Sequence, residues 1–100
     1  SRFFFFFHPG GGMLFTLLIV NDKGLHARAS AKFVETVERF DASARVSRDG
    51  MDVSGDSIMG LMMLAAAKGT TIDIRVVGPE AEPLAGALRE LVDGRFGESS

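Results

Sequence analysis

Apolar and polar positions along this chain follow two periods, and the switches between them mark the elements. Leu14 to Val20 is nearly all apolar and is bounded by Asn21-Asp22, which predicts a strand with one face fully buried. From Ala27 to Phe40, apolar residues fall at Ala29, Phe33, Val37 and Phe40, with Arg28, Lys32, Glu35 and Arg39 opposite them, so this stretch is a helix with one buried stripe. Glu35 and Arg39 stand four apart in the favourable order and form a solvated pair, worth roughly 0.3 kcal/mol. Next, Ala42, Ala44 and Val46 alternate with Ser43, Arg45 and Ser47, Asp49-Gly50 signals a hairpin, and Met51 to Ser54 is the returning strand. Gly55-Asp56-Ser57 opens a short helix over Ile58 to Ala67, which Lys68-Gly69 stops. Thr70 to Val77 is the last strand, and Gly78-Pro79 turns the chain. Leu84, Leu88, Leu91 and Val92 mark a final helix with Glu80 and Glu82 at its positive end and Gly94 as its stop. Residues 95–100 read as a frayed C-terminal tail.

The order is strand, helix, strand, strand, helix, strand, helix. With so many hairpin-length joins, the economical packing is an α+β sandwich, an antiparallel sheet covered on one face by helices. The first twelve residues do not fit this pattern: five consecutive phenylalanines are followed by His8-Pro9-Gly10-Gly11-Gly12, and Met13 looks like a natural start. Residues 1–12 are therefore set apart as a vector-derived leader, the other reading being a genuine aromatic tail that packs somewhere, with residues 13–94 as the domain and His8 as without function.

Composition narrows the chemistry. A chain of 100 residues has room for one domain and one core. Cysteine is absent, which excludes disulfides, thiolate chemistry and Cys-based metal sites and fits a reducing cytoplasm. A formal net charge of -2 is too small and too mixed to hold nucleic acid over a whole surface, and without Trp or Tyr a base-stacking platform would rest on Phe alone. No membrane-spanning stretch is present in the sequence, and no cofactor or metal is expected.

The chemistry concentrates in Lys23 to Lys32, Lys-Gly-Leu-His-Ala-Arg-Ala-Ser-Ala-Lys, where a strand gives way to a helix. A lone histidine at a helix start ordinarily does no more than cap it. Here the positive helix end disfavours imidazolium, so His26 is expected neutral and nucleophilic, while the unpaired amides of Ala27 and Arg28 and the Arg28 side chain await an anion. Nucleophilic histidine accepts phosphoryl groups covalently, and such transfer needs mainly alignment and charge stabilisation. The chain has no Gly-rich phosphate loop, no nucleophile elbow and no Asp set to hold magnesium, so donor and acceptor are other molecules.

On the second helix, Ile58, Met59 and Met62 project to one side, and Leu61, Leu64 and Ala65 to another. Burial of both sides in the core is the plain reading, but a short surface helix needs only one, which makes the Met-rich side a docking patch suited to several partners. Ser57 caps this helix, and a phosphate there would set about -1.5 to -2 charges beside the patch.

These residues resemble a known family. Gly24-Leu25-His26-Ala27-Arg28 is similar to the active-site signature of the histidine-containing phosphocarrier protein HPr of the bacterial phosphoenolpyruvate-dependent phosphotransferase system. Ser57-Ile58-Met59-Gly60, followed by Ala67-Lys68-Gly69, is similar to that family's regulatory serine region. The resemblance covers Met13 to about Gly94 and implies an open-faced sandwich of four antiparallel strands and three helices (βαββαβα). It implies that His26 takes a phosphoryl group on Nδ1 from enzyme I and passes it to enzyme IIA, with Arg28 assisting. Ser57 would match the serine modified by HPr kinase/phosphorylase, and Ile58, Met59 and Met62 the partner-docking patch. Many members follow the arginine with proline where this chain has Ala29 and Ser30, and some carry lysines along the first helix where this chain has Glu35 and Glu38.

The expected protein is thus a monomeric, cytoplasmic phosphocarrier for sugar uptake or regulation. It works through a phosphohistidine intermediate and needs partner enzymes, so it is no stand-alone catalyst. The alternative is an HPr-like regulatory binding module that docks through its second helix under control of Ser57 phosphorylation.

Overall fold

A computed structural model describes residues 4–8, as backbone, and residues 12–100. The elements, in chain order, are β1 (Phe4–His8), β2 (Gly12–Leu18), α1 (Ala27–Glu38), β3 (Ser43–Arg48), β4 (Met51–Ser54), α2 (Ile58–Met63), β5 (Thr71–Val77) and α3 (Ala81–Asp93). A 3-10 turn over Arg95–Gly97 closes the chain.

The strands β2, β5, β3 and β4 lie side by side in that order, every neighbouring pair antiparallel, and form the four-stranded sheet expected of the pattern. Alternation decides which face is buried: Met13, Phe15 and Leu17, Ala44 and Val46, and Ile72, Ile74 and Val76 point to the covered side. Arg45, Asp73, Arg75 and Val77 remain on the open side. The three helices supply the other layer, with Phe33 from α1, Leu61 from α2 and Leu84 and Leu88 from α3 buried in the shared core. In the β3–β4 hairpin, Asp49 and Gly50 have φ of 51° and 80°, the left-handed pair that a two-residue turn matched to strand twist requires.

Three expectations change. Phe4–His8, left out of the fold in the sequence reading, pairs antiparallel with β2 as an edge strand, from Phe4 opposite Thr16 to His8 opposite Gly12, and Gly12 itself begins β2; what changes is the exclusion from the sheet, and the pairing does not bear on where the segment comes from. Aromatic residues favour extended backbone, and the outer edge of β2 offers unpaired amides and carbonyls to receive them. The assignment of residues 1–3 and 9–11 to a leader lies outside the described residues. Second, α2 stops at Met63, short of Ala67, because Ala65 turns left-handed at φ 50° and tertiary donors take the carbonyls beyond: Arg48 reaches Leu64 at 3.0 Å and the Leu25 amide reaches Ala66 at 2.9 Å. Ala65 is consequently exposed, and Ala66 takes the buried place. Third, residues 95–100 are not frayed. Phe96 is 1% exposed and sits in the core.

A smaller difference concerns α1. The Arg39 guanidinium turns to the Thr36 hydroxyl at 3.4 Å instead of to Glu35. Lys32 is half-buried, its ammonium donating to the Phe96 carbonyl at 2.6 Å, so it does not belong to a simple solvated face.

Candidate functional site

The site begins with a tight turn. Gly24 holds φ +64°, and a Cβ there would lie 2.4 Å from the Ala66 carbonyl oxygen, so only glycine allows the turn to press against the segment after α2. The Asn21 side chain, fully buried, donates to the Gly24 carbonyl at 2.8 Å and braces the turn from inside. Leu25 then anchors in the core and bonds the Ala66 carbonyl. His26 follows as the N-cap of α1.

His26 has extended backbone (φ -78°, ψ -175°), and its carbonyl accepts the first helical bond, from the Ser30 amide at 2.8 Å. Its side chain makes no cap bond. Among the described residues no acceptor takes the amides of Ala27, Arg28 and Ala29, the donors every helix start leaves over. Arg28 is exposed and has no ion-pair partner among the described residues. An anion on the imidazole would therefore meet backbone donors, positive dipole charge and a guanidinium together. Ala29 and Ser30, the residues standing where proline is common, are both fully buried, and the Ser30 hydroxyl donates to the Leu25 carbonyl at 3.2 Å. The helix start is thus held by packing and by this bond.

One participant was not visible from the sequence. The Glu98 carboxylate lies against His26, Oε2 to Nε2 at 2.5 Å, with the two side chains 18% and 28% exposed. The other oxygen, Oε1, accepts from Asn21 Nδ2 at 3.0 Å. The hydrogen bond from His26 holds the Glu98 carboxyl below the usual carboxylate range; burial opposes this, and the Asn21 amide and the charges of His26 and Lys23 support it. Spacing alone could not reveal a contact across 72 residues; the one available hint was Phe96, a large apolar residue two positions before Glu98 that needed a place in the core. Nearby, Asp22 pairs with Lys68 at 2.8 Å, which lowers the Asp22 carboxyl, and its amide donates to the Ser100 carbonyl at 3.2 Å.

The second group of expected site residues lies on α2, which packs against α1. Ser57 is its N-cap in extended backbone, and its hydroxyl accepts the Gly60 amide at 2.9 Å. Ile58, Met59 and Met62 are exposed, as their projection suggested, and Met63 joins them; Met59 at 72% and Met63 at 61% stand out furthest. Leu61 and Leu64 fill the opposite, buried side. The patch is larger than the sequence reading had it because Met63, inside α2 and four residues after Met59, lies on the same exposed face.

An open-faced α+β sandwich that presents a single histidine at an uncapped helix start defines a narrow class of protein. A family model described as the PTS HPr component phosphorylation site matches residues 14–93. The chain is 49% identical over 80 residues to the phosphocarrier protein HPr of Neisseria meningitidis serogroup A, covering 80% of this chain and 90% of that one. To the phosphocarrier protein HPr of Xylella fastidiosa it is 43% identical over 84 residues, covering 84% and 94%. The crystal structure of HPr-C-His from Thermoanaerobacter tengcongensis superimposes with a TM-score of 0.82 at 36% identity, over 87% of this chain and 98% of that one. The chain belongs to the HPr family, the phosphocarriers of the phosphotransferase system. Among the described residues no helix is long and apolar enough to cross a membrane.

Proposed function

We propose that His26 accepts a phosphoryl group on Nδ1 from phosphorylated enzyme I and passes it to enzyme IIA, with Arg28 and the first amides of α1 holding the phosphoryl oxygens. The observation that carries this reading is the uncapped start of α1: the His26 ring makes no bond to its own helix, and the donors it leaves over are of the kind that hold the oxygens of an attached phosphoryl group. His26 is half-buried while Ala27 and Arg28 beside it are exposed, which suits a carrier whose reaction partners are proteins. The reaction needs alignment and charge stabilisation, and this helix start offers both from the chain's own groups.

In the same reading Ile58, Met59 and Met62, extended by Met63, form the face that meets both partners, flexible thioethers adapting to each. Ser57 is the site at which HPr kinase/phosphorylase adds a phosphate, and the added charge weakens docking on the adjoining patch. Incubation with enzyme I and phosphoenolpyruvate is expected to add one acid-labile phosphate, mapped to His26 by mass spectrometry. An unchanged gain in His26→Ala overturns the assignment.

The exposed patch beside a modifiable serine also favours a second reading, a regulatory module that works by docking alone. Under it, His26→Ala retains function while Ser57→Asp abolishes partner binding.

A further inference from the structure

Sulfur occurs in this chain only as thioether, in five methionines and no cysteine. The fold divides the five unequally. Met13 is 3% exposed on the buried side of β2, whereas Met59, Met62 and Met63 stand in solvent on α2 and Met51 stands in solvent at the start of β4. We propose that the α2 methionines are a redox-sensitive modification site: a peroxide converts Met59 and Met63, and after them Met62, to the sulfoxide, and the more polar face that results docks partner proteins less tightly. The inference rests on the reading of that face as the docking surface.

The oxidation asks nothing of the protein beyond an accessible sulfur. A sulfur lone pair attacks one oxygen of hydrogen peroxide, so a sulfur–oxygen bond forms while the oxygen–oxygen bond breaks. The departing hydroxide takes the proton of the transferred oxygen and leaves as water. Sulfur gives up two electrons and the peroxide gains them. A dithiol, acting through a methionine sulfoxide reductase, reverses the change: it removes the oxygen as water and itself becomes a disulfide. With no thiolate in the chain, no faster-reacting sulfur intercepts the oxidant before the thioethers do.

Placement turns this chemistry into a change of binding. Met59 and Met63 stand four positions apart and Met59 and Met62 three, so the added oxygens gather on one side of α2. A sulfoxide oxygen is a hydrogen-bond acceptor that water satisfies and an apolar partner surface does not, so docking strips its water without replacement. The flexible, apolar thioether that suited several partners is lost with it.

The fold stands apart from the change. On its opposite side α2 is held by Leu61 and Leu64, and at its head by the Ser57 hydroxyl on the Gly60 amide, none of which contains sulfur. Oxidation is therefore read in affinity and not in stability. Unlike a phosphate at Ser57, it needs no kinase, and it adds dipoles along the helix where the phosphate adds charge at its start.

The test treats the protein alone with hydrogen peroxide, removes the oxidant, maps the added oxygens by mass spectrometry and titrates enzyme I in a calorimeter. Met59 and Met63 are expected to gain oxygen first, Met62 and Met51 later, and Met13 none. Affinity for enzyme I then falls about tenfold, the scale of one buried acceptor left without a donor. The midpoint of urea unfolding stays in place, and a methionine sulfoxide reductase with dithiothreitol restores the affinity. In the triple variant Met59→Leu, Met62→Leu, Met63→Leu, the affinity before treatment, whatever its value, is the reference, and peroxide leaves it unchanged although Met51 is still open to oxidation. Resistance of the α2 methionines to peroxide, an affinity that oxidation does not alter, a fall in the unfolding midpoint that accompanies the loss, or an equal loss in the triple variant overturns this proposal alone. Untreated protein with Met59→Gln and Met63→Gln, which makes the same face polar without oxidation, is expected to bind enzyme I more weakly than wild type. Wild-type affinity in that variant overturns the docking reading and this proposal with it.

Discussion

Two helices meet at the face that carries His26 and Ser57, and they open in opposite ways. At α2 the Ser57 hydroxyl folds back onto its own helix and accepts the Gly60 amide at 2.9 Å. At α1 the His26 ring makes no such bond, directs Nε2 to Glu98 and leaves the first amides without an acceptor among the described residues. Both N-cap residues have extended backbone, and they differ in what the side chain bonds. A self-capped start is closed and contributes stability, typically about 1 kcal/mol. An uncapped start forgoes that and keeps its donors and dipole for something that arrives from outside. The same local geometry thus serves structure at one helix and reception at the other.

The comparison breaks most severely at the turn that sets the α1 start. Gly24→Ala puts a Cβ against the Ala66 carbonyl and forces φ +64° on a residue that resists it. A loss of about 3 kcal/mol is expected in urea unfolding, with slower phosphate uptake because His26 moves with the turn. Gly50→Ala, whose Cβ would meet nothing within 4 Å, serves as the control and should lose much less. Equal losses in the two would show that the Ala66 contact is irrelevant.

Next in size is Ser57→Ala. Removal of the α2 cap should lower stability by about 1 kcal/mol and leave the rate of His26 phosphorylation in place, because nothing at α1 depends on that hydroxyl. A slowed rate would mean that the two helix starts are coupled. Ser57→Asp sharpens the contrast further: aspartate also caps, so stability should stay within about 0.5 kcal/mol of wild type. Its charge beside Met59 and Met62 should still weaken partner binding in calorimetric titration, and unaltered affinity would remove the regulatory role.

The smallest expected effect is a change in pH dependence. The Glu98 carboxyl is held below its ordinary value, first by the hydrogen bond from His26, so its folded-state affinity for a proton is the weaker one. A depressed carboxylate stabilises the fold above its unfolded value, about 4.3, and that increment is lost as pH falls through the lowered folded value. The difference in unfolding free energy between wild type and Glu98→Ala should therefore shrink on acidification below about pH 4. A difference that stays constant from neutral pH to pH 3 would exclude the contribution.

Local signals carried much of this architecture. The Asp49-Gly50 hairpin, the alternation in β5 and the apolar stripes of α1 and α3 each follow from a period or a turn residue that a few neighbouring positions define. The same holds for His26 and Ser57 as N-caps, since capping depends on the residue type at a strand-to-helix or loop-to-helix junction. What failed was non-local. The early end of α2 depends on Arg48 and Leu25, which take carbonyls that helix propensity would have kept. The strand at Phe4–His8 depends on a free edge that exists only once β2 has found β5.

Glu98 is the sharpest case. The sequence by itself determined the order of elements from β2 to α3, the two helix starts and the histidine at the first of them, because short-range periodicity and capping chemistry are written in adjacent residues. The identity of the groups around the imidazole was decided by tertiary structure alone. Burial of Phe96 and the grip of Lys32 bring the end of the chain back to its first helix, and a carboxylate 72 positions from His26 becomes its nearest polar neighbour. A contact of that separation leaves no periodic trace, since it follows from where the packed core lets the last turn lie.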